Sequence, residues 1–277
     1  MSLVAAGVAW GGLSLKSTER SAADVSHAPT GTTIYANFEI TAYSCTYYPD
    51  GVCLGYNGAT PGPTIITHEG DVLVVNVTNH VPGTVASLPV SQTLKDRLAA
   101  ASLGLHTHGV TITPDNDGVL AHPGTNLIDS SVPPNGTRTY TLGTFTQGSW
   151  HYHDHILGPD GSEGASRGLF GTLLVMPTGE STTAFDLHLL NSGPNGGRSM
   201  SGTIGVGQRF DIAVAGLGDY PWNFKLYSPS NSLLWEENFG PGVSHNVPVI
   251  SAVPGSYTWK AKTIFLAPTY TGTVTAS

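Results

Sequence analysis

From Thr33 to Tyr43 apolar and polar residues alternate. Ile34, Ala36, Phe38, Ile40 and Ala42 share one face, and Tyr35, Asn37, Glu39 and Thr41 share the other. A period of two predicts a strand with one buried face. Residues 56–65, YNGATPGPTI, form a turn cluster, and Val72 to Val77 reads as a buried β run closed by Thr78 and Asn79. Residues 81–104 read as an insertion. Within it SQTLKDRLAAAS combines good helix formers with a serine at the start, which predicts one short helix N-capped by Ser91. Further strands are expected at LHTHG (105–109), RTYTLGTF (138–145), GSWHYHDH (148–155) and GLFGTLLVM (168–176).

The pattern then restarts. EGDVLVVNVTN (69–79) has a partner in VGQRFDIAVAG (206–216), GSWHYH (148–153) in GSYTWK (255–260), and GLFGTLLV (168–175) in TYTGTVTA (269–276). Three matches in the same order predict a duplicated unit. The expected fold is all-β, with two tandem Greek-key β-sandwiches and a boundary near residue 178.

Composition agrees. In 277 residues, 35 glycines and 19 prolines mark a turn-rich chain, and only 11% of positions are charged. A net charge of −8 argues against a nucleic-acid partner, which requires clustered Lys and Arg. Cys45 and Cys53 flank a Pro-Asp-Gly turn. A disulfide closing that hairpin, and with it an oxidising compartment, is the first reading; a pair of reduced thiols is the alternative. Residues 1–30 read as an N-terminal lead-in or the remnant of an export signal, too short in apolar run to span a bilayer. The expected location is secreted, periplasmic or cell-surface.

Five of the 11 histidines lie in LHTHG and GSWHYHDH. In a strand, residues two apart face the same way. His106 and His108 therefore project together, as do His151, His153 and His155, with Tyr152 and Asp154 turned away. One His-x-His pair is a weak sign of a metal; two on strands of one sandwich are a strong one. Neutral imidazoles without a nearby thiolate suit copper, with zinc as the alternative. His106, His108, His151 and His153 are the candidate metal ligands. His155 is a further candidate, either ligand or hydrogen-bonding neighbour. Asp117, in TPDNDG, is the candidate for orienting a ligand or bound water, and equally an ordinary turn residue. His68, His80, His122, His188 and His245 stand alone and read as loop or surface residues, and His27 lies in the lead-in.

These stretches, from YNGATPGPTIITHEGDVLVVNVTN through LHTHGV, PPNGTRTYT and GSWHYHDH to GLFGTLLV, resemble the first domain of a multicopper oxidase, most closely the two-domain small laccases. The resemblance implies cupredoxin domains over 31–177 and 178–277, the second degenerate. It also implies a homotrimer in which a trinuclear copper cluster lies between the first domain of one subunit and the second of its neighbour. In that family a type 1 copper takes electrons from substrate and the cluster reduces O2 to water. By the same resemblance His106 would serve the type 2 copper, and His108, His151 and His153 the type 3 pair.

The second half departs from the family. Its expected histidine stretch corresponds to Trp222-Asn223-Phe224-Lys225-Leu226-Tyr227, and its expected His-Cys-His to Lys260-Ala261-Lys262. Tyr152 is set opposite Ala261 in the first half, so no thiolate is available and no type 1 copper is expected. Three of the five lysines stand where the family has copper ligands. A protonated lysine has no lone pair and repels a dication. These lysines either pair with carboxylates or an anion, or face solvent in a relaxed loop. The expected function is a copper-dependent oxidoreductase with a reduced type 2/type 3-like histidine site, drawing electrons from a small-molecule substrate or a donor protein. The alternatives are a non-catalytic copper- or zinc-binding module and a protein that kept the fold without the chemistry.

Overall fold

The computed structural model describes residues 31–110, 113–120, 128–143, 147–158, 162–190, 193–195, 200–263 and 269–277. The lead-in, His27 and His122 lie outside the described residues. The first half contains β1 (Thr33–Ser44), β2 (Val52–Tyr56), β3 (Ile65–His68), β4 (Val72–Asn79), β5 (His106–Thr107), β6 (Thr137–Leu142), β7 (Gly148–His153) and β8 (Phe170–Met176). They form two sheets of order β2-β1-β4-β6 and β3-β8-β7-β5. The alternation in β1 is realised: Ala36, Phe38, Ile40 and Ala42 are buried, while Tyr35, Asn37 and Glu39 are exposed. With Val75, Val77, Tyr140, Tyr152 and Leu173 they build a continuous core between the sheets.

The second half contains β9 (Thr183–Leu190), β10 (Gly193–Pro194), β11 (Gly202–Ile204), β12 (Phe210–Gly216), β13 (Trp222–Tyr227), β14 (Leu233–Phe239), β15 (Ser244–Val249), β16 (Gly255–Thr263) and β17 (Thr269–Ala276). Its sheets run β10-β9-β12-β15 and β11-β17-β16-β13-β14 over a separate core centred on Phe210, Trp222, Phe224 and Trp259. The pairing repeats. β4 runs parallel to β1 and β12 to β9; β8 runs parallel to β3 and β17 to β11. The chain is thus two tandem β-sandwiches, as the internal matches predicted.

The repeat also fixes which residues correspond. Tyr152 pairs across the strands with Gly171, and Trp259 with Gly272. In both places a side chain on the glycine would collide with the ring opposite. Tyr152 therefore corresponds to Trp259, and Asp154, not Tyr152, to Ala261. This corrects the expected correspondence; only the pairing with the following strand reveals the register.

Helix α2 (Gln92–Ala99) begins as expected, with the Ser91 hydroxyl accepting from the Leu94 amide at 3.3 Å. Helices α1 (Val81–Ala86) and α3 (Ser162–Arg167) were not foreseen. α1 starts on a proline at its first turn, a position where the lost N–H has no partner to lose. Cys45 and Cys53 form a disulfide. Two of the isolated histidines contradict the surface reading. His188 in β9 is fully buried and His68 in β3 nearly so. His80 and His245 are exposed, as expected. His188 is buried because the two sandwiches pack on each other there: its Nε2 lies 3.4 Å from Thr172 Oγ1 of the first half, and its ring against Phe170.

Candidate metal centre

β5 and β7 run antiparallel with His106 opposite His153, and the His108 amide donates to the His151 carbonyl at 2.9 Å. That register brings the imidazoles of both strands to one face, while Thr107 and Tyr152 turn inward. The chain can turn sharply after His108 because Gly109 has φ +75°, and a side chain there would strike the Trp150 ring. One nitrogen each of His106, His108 and His153 lies within 4.8 Å of the other two. Among the described residues no other such group of three donors forms.

The remaining two candidates are placed differently. His151 is buried and stacks on His108 at 3.9 Å between centroids, but its nitrogens are not part of the group of three. Its Nδ1 is buried without a hydrogen-bond partner. His155 was expected to continue the strand face. The strand ends at His153, yet the His155 ring still comes 5.0 Å from His106 and 5.5 Å from His153, exposed at the rim. Asp117 touches the cluster directly. His106 Nδ1 is 2.8 Å from its backbone carbonyl and 3.0 Å from its carboxylate.

Hydrogen bonds assign the tautomers. A carbonyl only accepts, so His106 Nδ1 donates to Asp117 and His153 Nδ1 donates to the Asp154 carbonyl at 2.9 Å. Where such a ring is neutral, the lone pair is thereby left on Nε2. His153 Nε2 lies 3.2 Å from His108 Nε2. Two facing lone pairs at that distance would repel, so a proton or a cation must stand between them. Burial, aided by neighbouring His106 and His155, lowers His108 to about 4. Burial lowers His153 to about 3, against the opposing hydrogen bond to Asp154. His151 is pushed well below the ordinary range by burial and then by His108. His108, His151 and His153 are thereby neutral at pH 7, as metal binding requires.

These shifts carry a pH prediction. A histidine held below its unfolded value of 6.5 contributes stability that is present above pH 6.5 and lost as pH falls toward the folded value. His108 and His153 act this way, as does His188, lowered by burial to about 4. Burial raises Asp154 and Asp186 from 3.8 to about 6. Their contribution runs oppositely, fully present below pH 3.8 and lost as pH rises through 6. With the histidines in the majority, the metal-free chain should show a lower urea midpoint at pH 4.5 than at pH 7. An unchanged or higher midpoint would contradict the burial of these rings.

Asp154 faces inward, as the alternation predicts, and does more than fill space. It is fully buried, and its carboxylate accepts from the amides of Gly104 at 2.7 Å, Leu157 at 2.9 Å and Ile156 at 3.3 Å. Its only sequence signal is an acidic residue at a core-facing position of a strand.

In the second half, the register sets Lys225 opposite Lys260 and Tyr227 opposite Thr258. Lys225, Tyr227 and Lys260 therefore occupy the places of His106, His108 and His153. All three lie on strands and face outward, not in a relaxed loop. Lys225 pairs with Glu236 at 2.9 Å, which raises its pKa, and Lys260 lies 4.9 Å over the Tyr227 ring. Protonated Lys225 has no lone pair to offer. Ala261 is buried in the core.

Residues 37–88 match the multicopper oxidase family model. The chain is 33% identical over 133 residues, 47% of its length, to a probable nitrite reductase-hydroxylamine oxidoreductase fusion protein of Kuenenia stuttgartiensis. It is 30% identical over 155 residues, 54% of its length, to Laccase-1 of Botryotinia fuckeliana. The matches span 13% and 22% of those relatives' own lengths. A solved multicopper oxidase superposes with a TM-score of 0.60 at 18% identity, covering 88% of this chain and 89% of the other. That likeness concerns the fold.

Proposed function

Proceeding from a chain that carries a multicopper oxidase match over residues 37–88 and the tandem cupredoxin-like sandwich fold of that family, we propose a copper-dependent oxidoreductase of reduced design. His106, His108 and His153 hold one copper, with His151 and His155 beside it. The second half, from about residue 178, supplies no type 1 copper and no further histidine ligands. The observation that carries this reading is the 3.2 Å between the Nε2 atoms of His108 and His153. At that separation both Nε2 atoms could reach one ion at ~2.0–2.1 Å, an ordinary metal–imidazole length. The third imidazole, His106, has a donor within 4.8 Å of the other two and would complete the set that holds the ion.

Copper bound there would supply one-electron redox chemistry and Lewis-acid polarisation of a small oxidised ligand. The chain's own groups do the rest. Asp117 holds the proton on His106 Nδ1 and turns its Nε2 to the site. The Asp154 carbonyl does the same for His153. The buried His151 ring closes one side against water, and His155 sits at the open rim. Electrons then come from a bound reductant or a donor protein. The disulfide supports an oxidising, extracytoplasmic location. In the described residues no helix is long and apolar enough to cross a membrane. A homotrimer belongs to the same reading, by the resemblance to two-domain small laccases.

A second reading is a non-catalytic copper or zinc module, favoured by the replacement of donors with Lys225, Tyr227 and Lys260. Copper titration of the metal-free chain, followed by electron paramagnetic resonance and substrate-dependent O2 or nitrite consumption, separates the two. One nitrogen-ligated copper with turnover and without an intense thiolate band is the expected result. One copper without turnover favours the module. No uptake from excess copper overturns the oxidoreductase and the copper module, and no uptake from excess zinc overturns the zinc module.

A further inference from the structure

The two histidine strands are short and their flanking loops are irregular, yet one buried carboxylate reaches both. Asp154 Oδ1 accepts from Gly104, two residues before His106. Its Oδ2 accepts from Leu157 and Ile156, in the turn that carries His155. Its own amide donates to Leu169 at 3.0 Å, which fixes the residue to the start of β8. Its carbonyl receives the His153 Nδ1 proton. Gly164 in α3 packs so closely that a side chain there would come 2.0 Å from Asp154 Oδ2. The carboxylate is therefore clamped from three sides, and the clamp extends to the segment leading into His106.

We propose that Asp154 is the positioning residue of the imidazole cluster: by tying the flanking segments to one buried carboxylate it sets the spacing of His106 and His153, and with it whether their Nδ1 atoms reach Asp117 and the Asp154 carbonyl, the bonds that hold their tautomers. This rests on the metal reading above only for its effect on copper. The geometry itself belongs to the metal-free chain. An asparagine at 154 would keep one acceptor but turn an NH2 toward an amide N–H, so one flanking segment is released. A methyl group at Gly164 would push the unaltered carboxylate out of place, and alanine is the better helix former, so α3 itself is not weakened.

The test compares Asp154→Asn and Gly164→Ala with the wild type in the full chain. Long-range nitrogen–proton NMR of the metal-free protein at pH 8 reports which ring nitrogen of each histidine carries the proton. The wild type should show Nδ1–H for His106 and His153; each variant that folds should show mixed tautomers at one or both. Copper affinity should fall ~10–100-fold, the usual cost of losing an outer hydrogen-bond partner, with altered copper hyperfine splitting. A variant that is merely destabilised would leave the tautomers of its folded fraction intact. Unchanged tautomers in the folded variants overturn the proposal. If the wild type takes up no copper, the metal reading falls, and the tautomer comparison still decides this one.

Discussion

His153→Ala should abolish stoichiometric copper uptake while leaving the fold nearly intact. His153 is the hub of the cluster. Its ring lies 5.3–5.5 Å from those of His106, His108, His151 and His155. Its Nε2 faces that of His108, and its Nδ1 is already committed to a carbonyl. Removing it takes away one of three converging donors and also deprives His108 of the atom it faces. The loss of affinity should exceed the ~10–100-fold cost of an outer partner. The ring is only partly buried, so the cost in stability should stay near ~1 kcal/mol, in the middle of the ordinary range for substitutions. Metal content per chain after desalting, with a thermal unfolding curve, checks both halves. Wild-type copper content with an unchanged resonance spectrum would show that the donors lie elsewhere. His155→Ala, at the exposed rim, should cost far less.

Arg167→Ala should be the most damaging single change outside the hydrophobic cores. The guanidinium is 1% exposed. It donates to both Asp50 oxygens at 2.9 and 2.6 Å, to Glu163 at 2.8 Å and to the Val52 carbonyl at 2.8 Å, and it lies 4.0 Å over the Tyr48 ring. Glu163 is in turn held by Arg97 through two bonds. One side chain thus joins the disulfide hairpin, α2 and α3. Breaking a buried ion pair costs ~3–5 kcal/mol; the carboxylates here reach solvent, at 32% for Asp50 and 16% for Glu163, so about 3 kcal/mol is expected. Urea unfolding measures it. Arg167→Lys should restore little, because an ammonium cannot reproduce the planar fork. A loss under 1 kcal/mol would mean the network is replaced by water at no cost.

Arg167 also shows what sequence reading misses. Its bidentate partner Asp50 is 117 residues away, and nothing in the local pattern distinguishes it from a surface arginine. His188 and His68 were misjudged for the same reason: whether a single histidine is covered depends on how two sandwiches meet. The local signals fared better. The period of two in β1, the Ser91 cap and the paired His-x-His spacing are each written within a dozen residues, and each has its structural counterpart. The correspondence of Tyr152 with Trp259 fell between these cases. The matched segments GSWHYH and GSYTWK contain it, whereas the family's His-Cys-His stretch sets Tyr152 opposite Ala261, and the pairing of each strand with the next decides for the former.

That register makes the C-terminal sandwich a blank casting of the N-terminal one. Lys225, Tyr227 and Lys260 already stand on paired strands at the spacing that His106, His108 and His153 use. Lys225→His, Tyr227→His and Lys260→His together would set three imidazoles on strands that already pair, and the chain offers protein engineers a second mould whose N-terminal twin serves as its own internal standard.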